Sequence, residues 1–282
     1  MSQMIYLRKE NRNMRKNIFE LMQGNEIDLY TEYLRIYRVF ERTEFECESS
    51  IKIFIGENYF LNWKHRKRYI SINDLLDSLE ISRSDMSQDN ISTDKLLLYT
   101  ELVFNLINLI EEYALSYDGR NIVKSLRNNI ADLLEDMNYE IKTNTREQFV
   151  IIEKDKLTTA VAEKFPDITD TVIEYRRFVL KGNIEAKRKI LDNLANKVEP
   201  LRKTLKNTPY TNIIEDINMM LNNLNIRHNN IEGPKKQEYT VNMPDNELEK
   251  WYDTTYDMIL SALMIKDYND KKEAIKELKS HY

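Results

Sequence analysis

The sequence predicts a predominantly all-α protein, built as a multi-helix bundle with one β-hairpin. Its 282 residues include only five glycines and five prolines, and this shortage of helix-breaking residues favours helices over many-turned sheets. Hydrophobic residues make up 41% of the chain, which is enough to build a core, and most of them recur at helical intervals. Only the stretch near residues 139–153 has the alternation and the β-branched residues of paired strands.

The first part of the chain predicts a series of amphipathic helices. Residues 1–22 carry a loose apolar stripe that a glycine ends, and a longer helical stripe runs from about residue 26 to residue 60. SINDLLDSLEI, residues 71–81, predicts a short helix with Ser71 or Asn73 as its N-cap.

A polar segment suggests a domain boundary. SRSDMSQDNISTD, residues 82–94, is rich in the serine, aspartate and asparagine that are typical of loops. We therefore predict an N-terminal helical domain at residues 1–90 and a helical bundle domain at residues 91–282.

The second part of the chain predicts more helices and the hairpin. Strongly apolar helical patterns cover residues 95–117 and 121–137, and the hairpin follows. Residues 156–226 return to helical periodicity, divided by prolines and a glycine, and a last helix begins after Pro244.

Charge, cysteine count and motifs exclude several classes of protein. A net charge of -5 argues against a chain that coats nucleic acid over its whole surface, although it is compatible with a local basic patch. The chain has one cysteine, three scattered histidines, no apolar run of transmembrane length and no phosphate-binding glycine loop. We therefore predict no cofactor, no metal, no membrane partner and a cytoplasmic location.

A polar cluster at the end of one apolar helix is the candidate catalytic site. The helix predicted over residues 213–226 runs directly into Arg227, His228, Asn229 and Asn230. A guanidinium can hold a phosphate through two hydrogen bonds, an imidazole can transfer a proton near neutral pH, and amides add further donors and acceptors. This combination suits phosphodiester chemistry, but asparagine and cations also terminate helices.

The same region resembles a known family. An apolar helix runs into Arg227 and the polar residue His228, and three further residues separate these from Glu232, which precedes Gly233. After a loop the sequence ELEKWYDTTYDMILSAL follows. This arrangement resembles the C-terminal half of the HEPN superfamily. Many members of that family are metal-independent ribonucleases of bacterial abortive-infection, toxin–antitoxin and other phage-defence systems. The resemblance covers about residues 95–282 and implies a homodimer.

The resemblance places the family's arginine on Arg227 and its polar residue on His228. In our hypothesis Arg227 would hold the scissile phosphate, His228 would act as acid or base, and Asn229 and Asn230 would position the RNA backbone or ribose. The family's histidine position falls on Glu232, where a carboxylate can accept a proton but repels a phosphate.

Two further features bear on RNA binding by the bundle domain. Residues 181–206 hold eight lysines or arginines against three acids, and Lys187 and Arg188 are our candidate substrate contacts there. The alternative is a solvated helix face. Asp253 and Asp257 lie one turn apart on the last helix and are candidates, together with Glu232, to orient Arg227 or His228.

A basic stretch in the first domain is a further candidate contact with nucleic acid. WKHRKRY, residues 63–69, places Trp63 and Tyr69 among cations, a pattern suited to stacking on bases while holding phosphates. The acidic helices of the same domain are alternative partners for these cations.

Taken together, these patterns predict an RNA-binding protein of phage defence or abortive infection that is also a candidate metal-independent ribonuclease. The alternative is a non-catalytic interaction or regulatory protein, in which the bundle binds a protein partner and the Arg-His-Asn-Asn sequence only ends a helix.

Overall fold

A computed structural model describes residues 27–46, 49–206, 208–228 and 238–282. In these ranges the fold is predominantly helical, with a single two-stranded antiparallel sheet, and this confirms the predicted fold class. The stripe predicted in residues 1–22 lies outside the described residues. None of the described helices combines the length and the continuous apolar sequence that crossing a membrane requires.

The elements before and including the sheet pack together. They are α1 (Leu29–Tyr37), α2 (Ile51–Asn58), α3 (Ile72–Ser78), α4 (Thr93–Ile107), α5 (Tyr117–Asp136), β1 (Tyr139–Thr143) and β2 (Phe149–Glu153). The long helix predicted between residues 26 and 60 is divided in two, because α1 ends in a π-helical turn over Arg38–Arg42 and a new helix starts after Ser50.

Side-chain caps account for where several of these helices begin. Ser71 Oγ accepts a hydrogen bond from the Asp74 N–H at 3.1 Å, so Ser71 rather than Asn73 is the N-cap of α3. Ser92 caps α4 and Ser116 caps α5 in the same way.

The start of α5 differs from the prediction of a break near Gly119. Gly119 lies in the first turn of α5, where its N–H donates to Ser116 Oγ. The Glu46 carboxylate accepts hydrogen bonds from Ser116 and packs so closely that a Cβ at Gly119 would lie 2.0 Å from Glu46 Oε1. Gly119 therefore lies inside α5 in close contact with the flexible end of the Glu46 side chain, and it does not end a helix.

The predicted hairpin is confirmed. Strands β1 and β2 pair antiparallel, with Tyr139 opposite Glu153 and Thr143 opposite Phe149. The Asn144 side chain accepts hydrogen bonds from two main-chain N–H groups of the turn, those of Arg146 and Gln148, which fixes the connection.

The first core joins residues on both sides of the predicted domain boundary. Side chains from α1, α2 and α3 share one buried cluster with Leu96 and Leu97 of α4 and with Ile130 of α5. Within the polar segment 82–94, Met86 is buried in the same cluster. Helix α4, which follows the predicted boundary at residues 90 and 91, thus shares a core with the helices that precede it.

The elements after the sheet form a second core. They are α6 (Lys156–Lys164), α7 (Thr169–Tyr175), α8 (Ile184–Val198), α9 (Leu201–Leu205), α10 (Thr211–Asn223), α11 (Glu238–Val241) and α12 (Asp245–Lys279). As predicted, the last helix follows Pro244. Its first half is buried against α8 and α10 through residues such as Tyr252, Tyr256 and Ile259, while its last turns are exposed.

The two cores meet at the second strand. The Arg177 guanidinium donates to Glu101 of α4 at 2.8 Å, and Glu101 also accepts from the Ile151 N–H of β2 at 2.7 Å. The Glu153 N–H of the same strand donates to the Arg176 carbonyl. Phe178 packs into the first core although it follows α7 in sequence.

Candidate functional site

The helix that carries the candidate site ends earlier than the sequence predicts. Helix α10 ends at Asn223, and Asn225 follows with a left-handed backbone, φ +58°. The Arg227 N–H then donates to the Leu221 carbonyl at 3.0 Å. Asparagine tolerates this conformation better than most residues, so Asn225 marks the helix end. Arg227 therefore lies on the connection after α10 rather than on its last turn.

Arg227 reaches from this connection to the end of α8. Its Nη2 donates to the Ala195 carbonyl at 3.2 Å and lies 3.9 Å from Glu199 Oε2, and the side chain is 20% exposed. A cation near the last carbonyls of a helix complements the helix dipole. Because the carboxylate contact is long, the guanidinium retains donors for a ligand.

The other members of the predicted cluster are placed only in part. His228 is exposed and makes no hydrogen bond or ion pair to the described residues. Asn229, Asn230 and Glu232 lie outside the described residues, so their predicted roles stay predictions.

Lys187, a predicted substrate contact, is buried and paired with two carboxylates. Only 7% of the residue is exposed, and its Nζ lies 2.8 Å from both Glu249 Oε1 and Asp253 Oδ1 on α12. Two carboxylates already neutralise this ammonium, and the side chain has little access to solvent. In this structure Lys187 joins α8 to α12 instead of facing a substrate.

Arg188 holds the main chain next to the candidate site through internal hydrogen bonds. Its guanidinium pairs with Glu185 through two hydrogen bonds of 2.9 and 3.0 Å, and its Nη1 donates to the Ile226 carbonyl at 3.1 Å. The hydrogen bond from Arg188 lowers the pKa of Glu185 to about 2. Arg188 thus holds the residue before Arg227 in place, and its predicted contact with substrate is replaced by these internal bonds.

The structure pairs both predicted orienting aspartates on α12 with other residues. Asp253 accepts hydrogen bonds from Lys187 and from the Tyr175 hydroxyl, the latter at 2.9 Å. Asp257 pairs with Arg176 at 2.5 Å, and burial raises its pKa above the ordinary range. Neither carboxylate contacts Arg227 or His228 among the described residues, so they act in the packing of α12 against α7 and α8.

Arg227 lines a groove between α9 and α10. The groove encloses about 710 Å3 and is lined mostly by polar side chains. One wall carries Glu199, Arg202 and Lys206, and the other carries residues of α10. Arg202 and Lys206 are exposed and form no ion pair within the described part of the chain. Three cationic side chains therefore face one recess, opposed by only two carboxylates.

The α10 wall presents two amides, the Glu215 carboxylate and the apolar side chains of Ile214 and Met219. Asn218 and Asn222 lie one helical turn apart and make no side-chain hydrogen bond among the described residues, and Met219 between them is 53% exposed. Arg202 and Lys206 belong to the basic stretch 181–206 that the sequence analysis relates to RNA binding. We did not single out Asn218, Met219 and Asn222 from the sequence, and the available signal for the two amides was their spacing of four residues.

The basic stretch 63–69 is internally organised. Its Arg66 guanidinium donates to the carbonyls of Leu61 and Tyr69, both at 2.8 Å, and Lys64 pairs with Glu147 of the hairpin turn. Trp63 packs against the first core, and the Tyr69 hydroxyl bonds to Ser78. The two aromatic rings predicted to stack on bases therefore have contacts within the protein.

No group of three or more histidine, cysteine, aspartate or glutamate side chains that could hold a metal is found among the described residues. Because part of the chain is not described, the expectation of no metal stays a prediction.

Comparison with known proteins adds no relative. No protein-family model matches the sequence, and neither the search of curated proteins nor the search of solved structures finds a match.

Proposed function

We propose that the groove between α9 and α10 binds single-stranded RNA. The observation that carries the proposal is the composition of the groove: the cations Arg202, Lys206 and Arg227 line it together with Asn218 and Asn222, whose amides make no side-chain hydrogen bond to the described residues. Cationic side chains bind phosphates, and amides can hydrogen-bond to base edges. Both kinds of group are available to a ligand at the same place.

The amide wall favours single strands over duplex. In an A-form duplex, side chains cannot read base edges through the deep and narrow major groove, whereas unpaired bases expose them. Met219 offers an apolar surface beside the amides. The choice of RNA over DNA, and of phage defence as the setting, rests on the resemblance to HEPN proteins.

Binding has more support than cleavage. Metal-independent cleavage requires a group that transfers a proton close to the phosphate. The groove is lined by two carboxylates and three cations, and His228 is not among its lining residues. Cleavage would require the His228 imidazole to reach the phosphate that Arg227 holds. The experiment therefore measures cleavage as well as binding.

The test measures binding and cleavage in the same samples. Fluorescence anisotropy with a labelled single-stranded RNA in chelator compares the wild type with Arg202→Ala/Lys206→Ala, and the RNA is afterwards analysed on a denaturing gel. Lys203→Ala is the matched control, because Lys203 is an exposed cation on α9 that does not line the groove. We expect the double variant to lose affinity, the control to keep it, and the RNA to stay intact.

Two results would change the proposal. Equal affinity in the wild type and the double variant would reject the groove as the binding site. RNA cleavage by the wild type that is lost in a folded His228→Ala variant would show that the protein is a ribonuclease.

A second candidate, self-association, is favoured by the exposed end of α12. Tyr268, Ile275 and Leu278 lie on one side of that helix and are each at least half exposed. Apolar positions spaced by seven and three residues are typical of a helix that packs against another helix. Analytical ultracentrifugation of the wild type and of Ile275→Ser/Leu278→Ser tests this; a wild type that is monomeric at every concentration would remove the candidate.

A further inference from the structure

Residues 61–70 form a loop beside the first core, and hydrogen bonds within the loop hold its conformation. The Arg66 guanidinium donates to the carbonyls of Leu61, Lys67 and Tyr69, and so ties the two ends of the loop together. One side of the loop is held on the hairpin turn, through Lys64 to Glu147 and His65 to Gln148. The loop is therefore fixed from within and does not need a ligand to order it.

This fixed loop exposes aliphatic side chains. Ile70 is 76% exposed and Leu61 is 58% exposed, although both are large and apolar. Because the Arg66 side chain bridges the carbonyls of Leu61 and Tyr69, the two aliphatic residues come from neighbouring ends of the loop. Large exposed aliphatic residues gathered at one place mark a surface that is covered by something else.

Cations accompany the aliphatic pair. Lys67 and Arg68 are exposed and form no ion pair among the described residues, and Arg146 of the adjacent hairpin turn is exposed as well. Lys64 is neutralised by Glu147 and Arg66 is used by the loop itself. We call residues 61–70 with Arg146 the basic–aliphatic loop. Its surface combines exposed cations with aliphatic side chains, next to the exposed Asp74 carboxylate that accepts a hydrogen bond from the Ile70 N–H.

We propose that the basic–aliphatic loop binds the surface of an anionic lipid bilayer. Lysines and arginines are attracted to anionic headgroups, and aliphatic side chains insert at the boundary of the acyl chains. Nucleic acid fits less well, because base stacking needs free aromatic rings, and the rings of this loop are packed or hydrogen-bonded. This proposal departs from the expectation of no membrane partner, which rested on the lack of an apolar run of transmembrane length.

Sedimentation of the full-length protein with vesicles tests the proposal. One set of vesicles is phosphatidylcholine alone and the other is half phosphatidylserine. We expect the wild type to sediment with the anionic vesicles only, and to be released by salt because exposed charges are screened.

Two double variants separate the charges from the aliphatic groups. Lys67→Glu/Arg68→Glu and Leu61→Ser/Ile70→Ser should each reduce partitioning onto anionic vesicles by about tenfold or more. The matched controls are Lys124→Glu/Lys156→Glu and Ile27→Ser/Val179→Ser, which make the same kinds of change at exposed positions elsewhere. Circular dichroism and thermal midpoints check that all four remain folded.

Three outcomes would overturn the proposal. The first is a wild type that anionic vesicles do not retain, and the second is loop variants that sediment as the controls do. In the third outcome the charge variant loses RNA binding, the aliphatic variant keeps it, and no protein sediments with vesicles; the loop would then be a contact for nucleic acid. The first two outcomes leave the groove between α9 and α10 untouched. The third concerns RNA binding as well, and the comparison of Arg202→Ala/Lys206→Ala with the wild type decides separately whether the groove contributes.

Discussion

At the residue scale, Arg227 makes a structural contact and also lines the groove that we propose binds RNA. Its contact with the Ala195 carbonyl places a cation at the end of α8, which is the role that a helix terminator would have. The same guanidinium lines the groove with Arg202 and Lys206. The sequence leaves open whether Arg227 ends a helix or contacts a phosphate. In this position the same guanidinium is compatible with both roles.

Replacing Arg227 should lower the affinity for RNA while the protein remains folded. We expect Arg227→Ala to lower the affinity for single-stranded RNA by about tenfold, since one charge-assisted phosphate contact is lost. Arg227→Lys should recover only part of this, because an ammonium keeps the charge but not the planar pair of donors. Anisotropy titrations measure both variants, with Lys189→Ala as a control on the exposed side of α8. An unchanged affinity in Arg227→Ala would remove Arg227 from the site.

Lys187 should matter for stability. Lys187→Met leaves the Glu249 and Asp253 carboxylates facing each other without their shared cation, and we expect a loss of about 2–3 kcal/mol in the free energy of unfolding. Lys189→Met, at an exposed position two residues further on, should change it by less than about 0.5 kcal/mol. Urea denaturation measures both variants, and equal effects would contradict the structural role.

The effect of Lys187 should also depend on pH. Burial alone raises the pKa of Glu249, but the hydrogen bonds from Lys187 and from the Gly182 N–H outweigh it, and the net pKa lies below its ordinary value of 4.5. A lowered carboxyl pKa contributes stability above the ordinary pKa, and this is lost as pH falls through the folded pKa. The difference in unfolding free energy between the wild type and Lys187→Met should therefore shrink below pH 4.5. A difference that grows on acidification would contradict this.

At the scale of elements, local sequence predicts helices and the hairpin well. The period of the apolar residues and capping serines such as Ser71 depend on neighbours within one or two turns, so they can be read from the chain. The end of α10 was missed because three asparagines, Asn222, Asn223 and Asn225, are equally good candidates in sequence. Only the packing of Ile226 into the core selects Asn225 for the left-handed position.

Partners that are distant in sequence could not be predicted. Lys187 and Arg188 are adjacent cations, yet one is buried against α12 and the other holds the Ile226 carbonyl. One residue along a helix rotates a side chain by about 100°, so their roles depend on which helices pack on each side. The groove itself depends on the same packing, and for this reason its amide wall was not predicted.

The joint between α4 and the sheet provides a prediction at this scale. Glu101 accepts hydrogen bonds from Arg177 and from the Ile151 N–H, and burial raises its pKa above the ordinary value despite Arg177. Glu101→Leu should destabilise the protein by about 2–4 kcal/mol, because it removes the acceptor of the Ile151 N–H and leaves the half-buried Arg177 with the longer 3.6 Å contact to Glu174. Glu101→Gln retains an acceptor and should cost less. Chemical denaturation compares the two, and similar losses would argue against the joint.

At the scale of the whole molecule, the described residues form two cores that meet at β2. The polar segment 82–94 has the composition of a linker but lies within the first core, as the burial of Met86 shows. Composition reports only that a segment is polar, whereas a domain boundary depends on which distant side chains share a core. The net charge of -5 likewise gives no sign of the cationic groove.

Native-state hydrogen exchange can test this division. Amides of α4 should open together with those of α1 and α5, with the same free energy, because the three helices share the first core. Amides of α10 and the buried half of α12 should form a separate group, since they belong to the second core. Exchange of α4 with the α10 and α12 group would instead favour the boundary at residues 90 and 91.

The most direct test of the proposed function is the salt dependence of RNA affinity. For a single strand, the slope of log affinity against log salt falls by about 0.7 for each phosphate contact that is removed. We predict that Arg202→Ala/Lys206→Ala lowers this slope by about 1.4 while Lys203→Ala leaves it unchanged. A slope that is the same in the wild type and the double variant would show that no RNA phosphate is bound by the groove between α9 and α10.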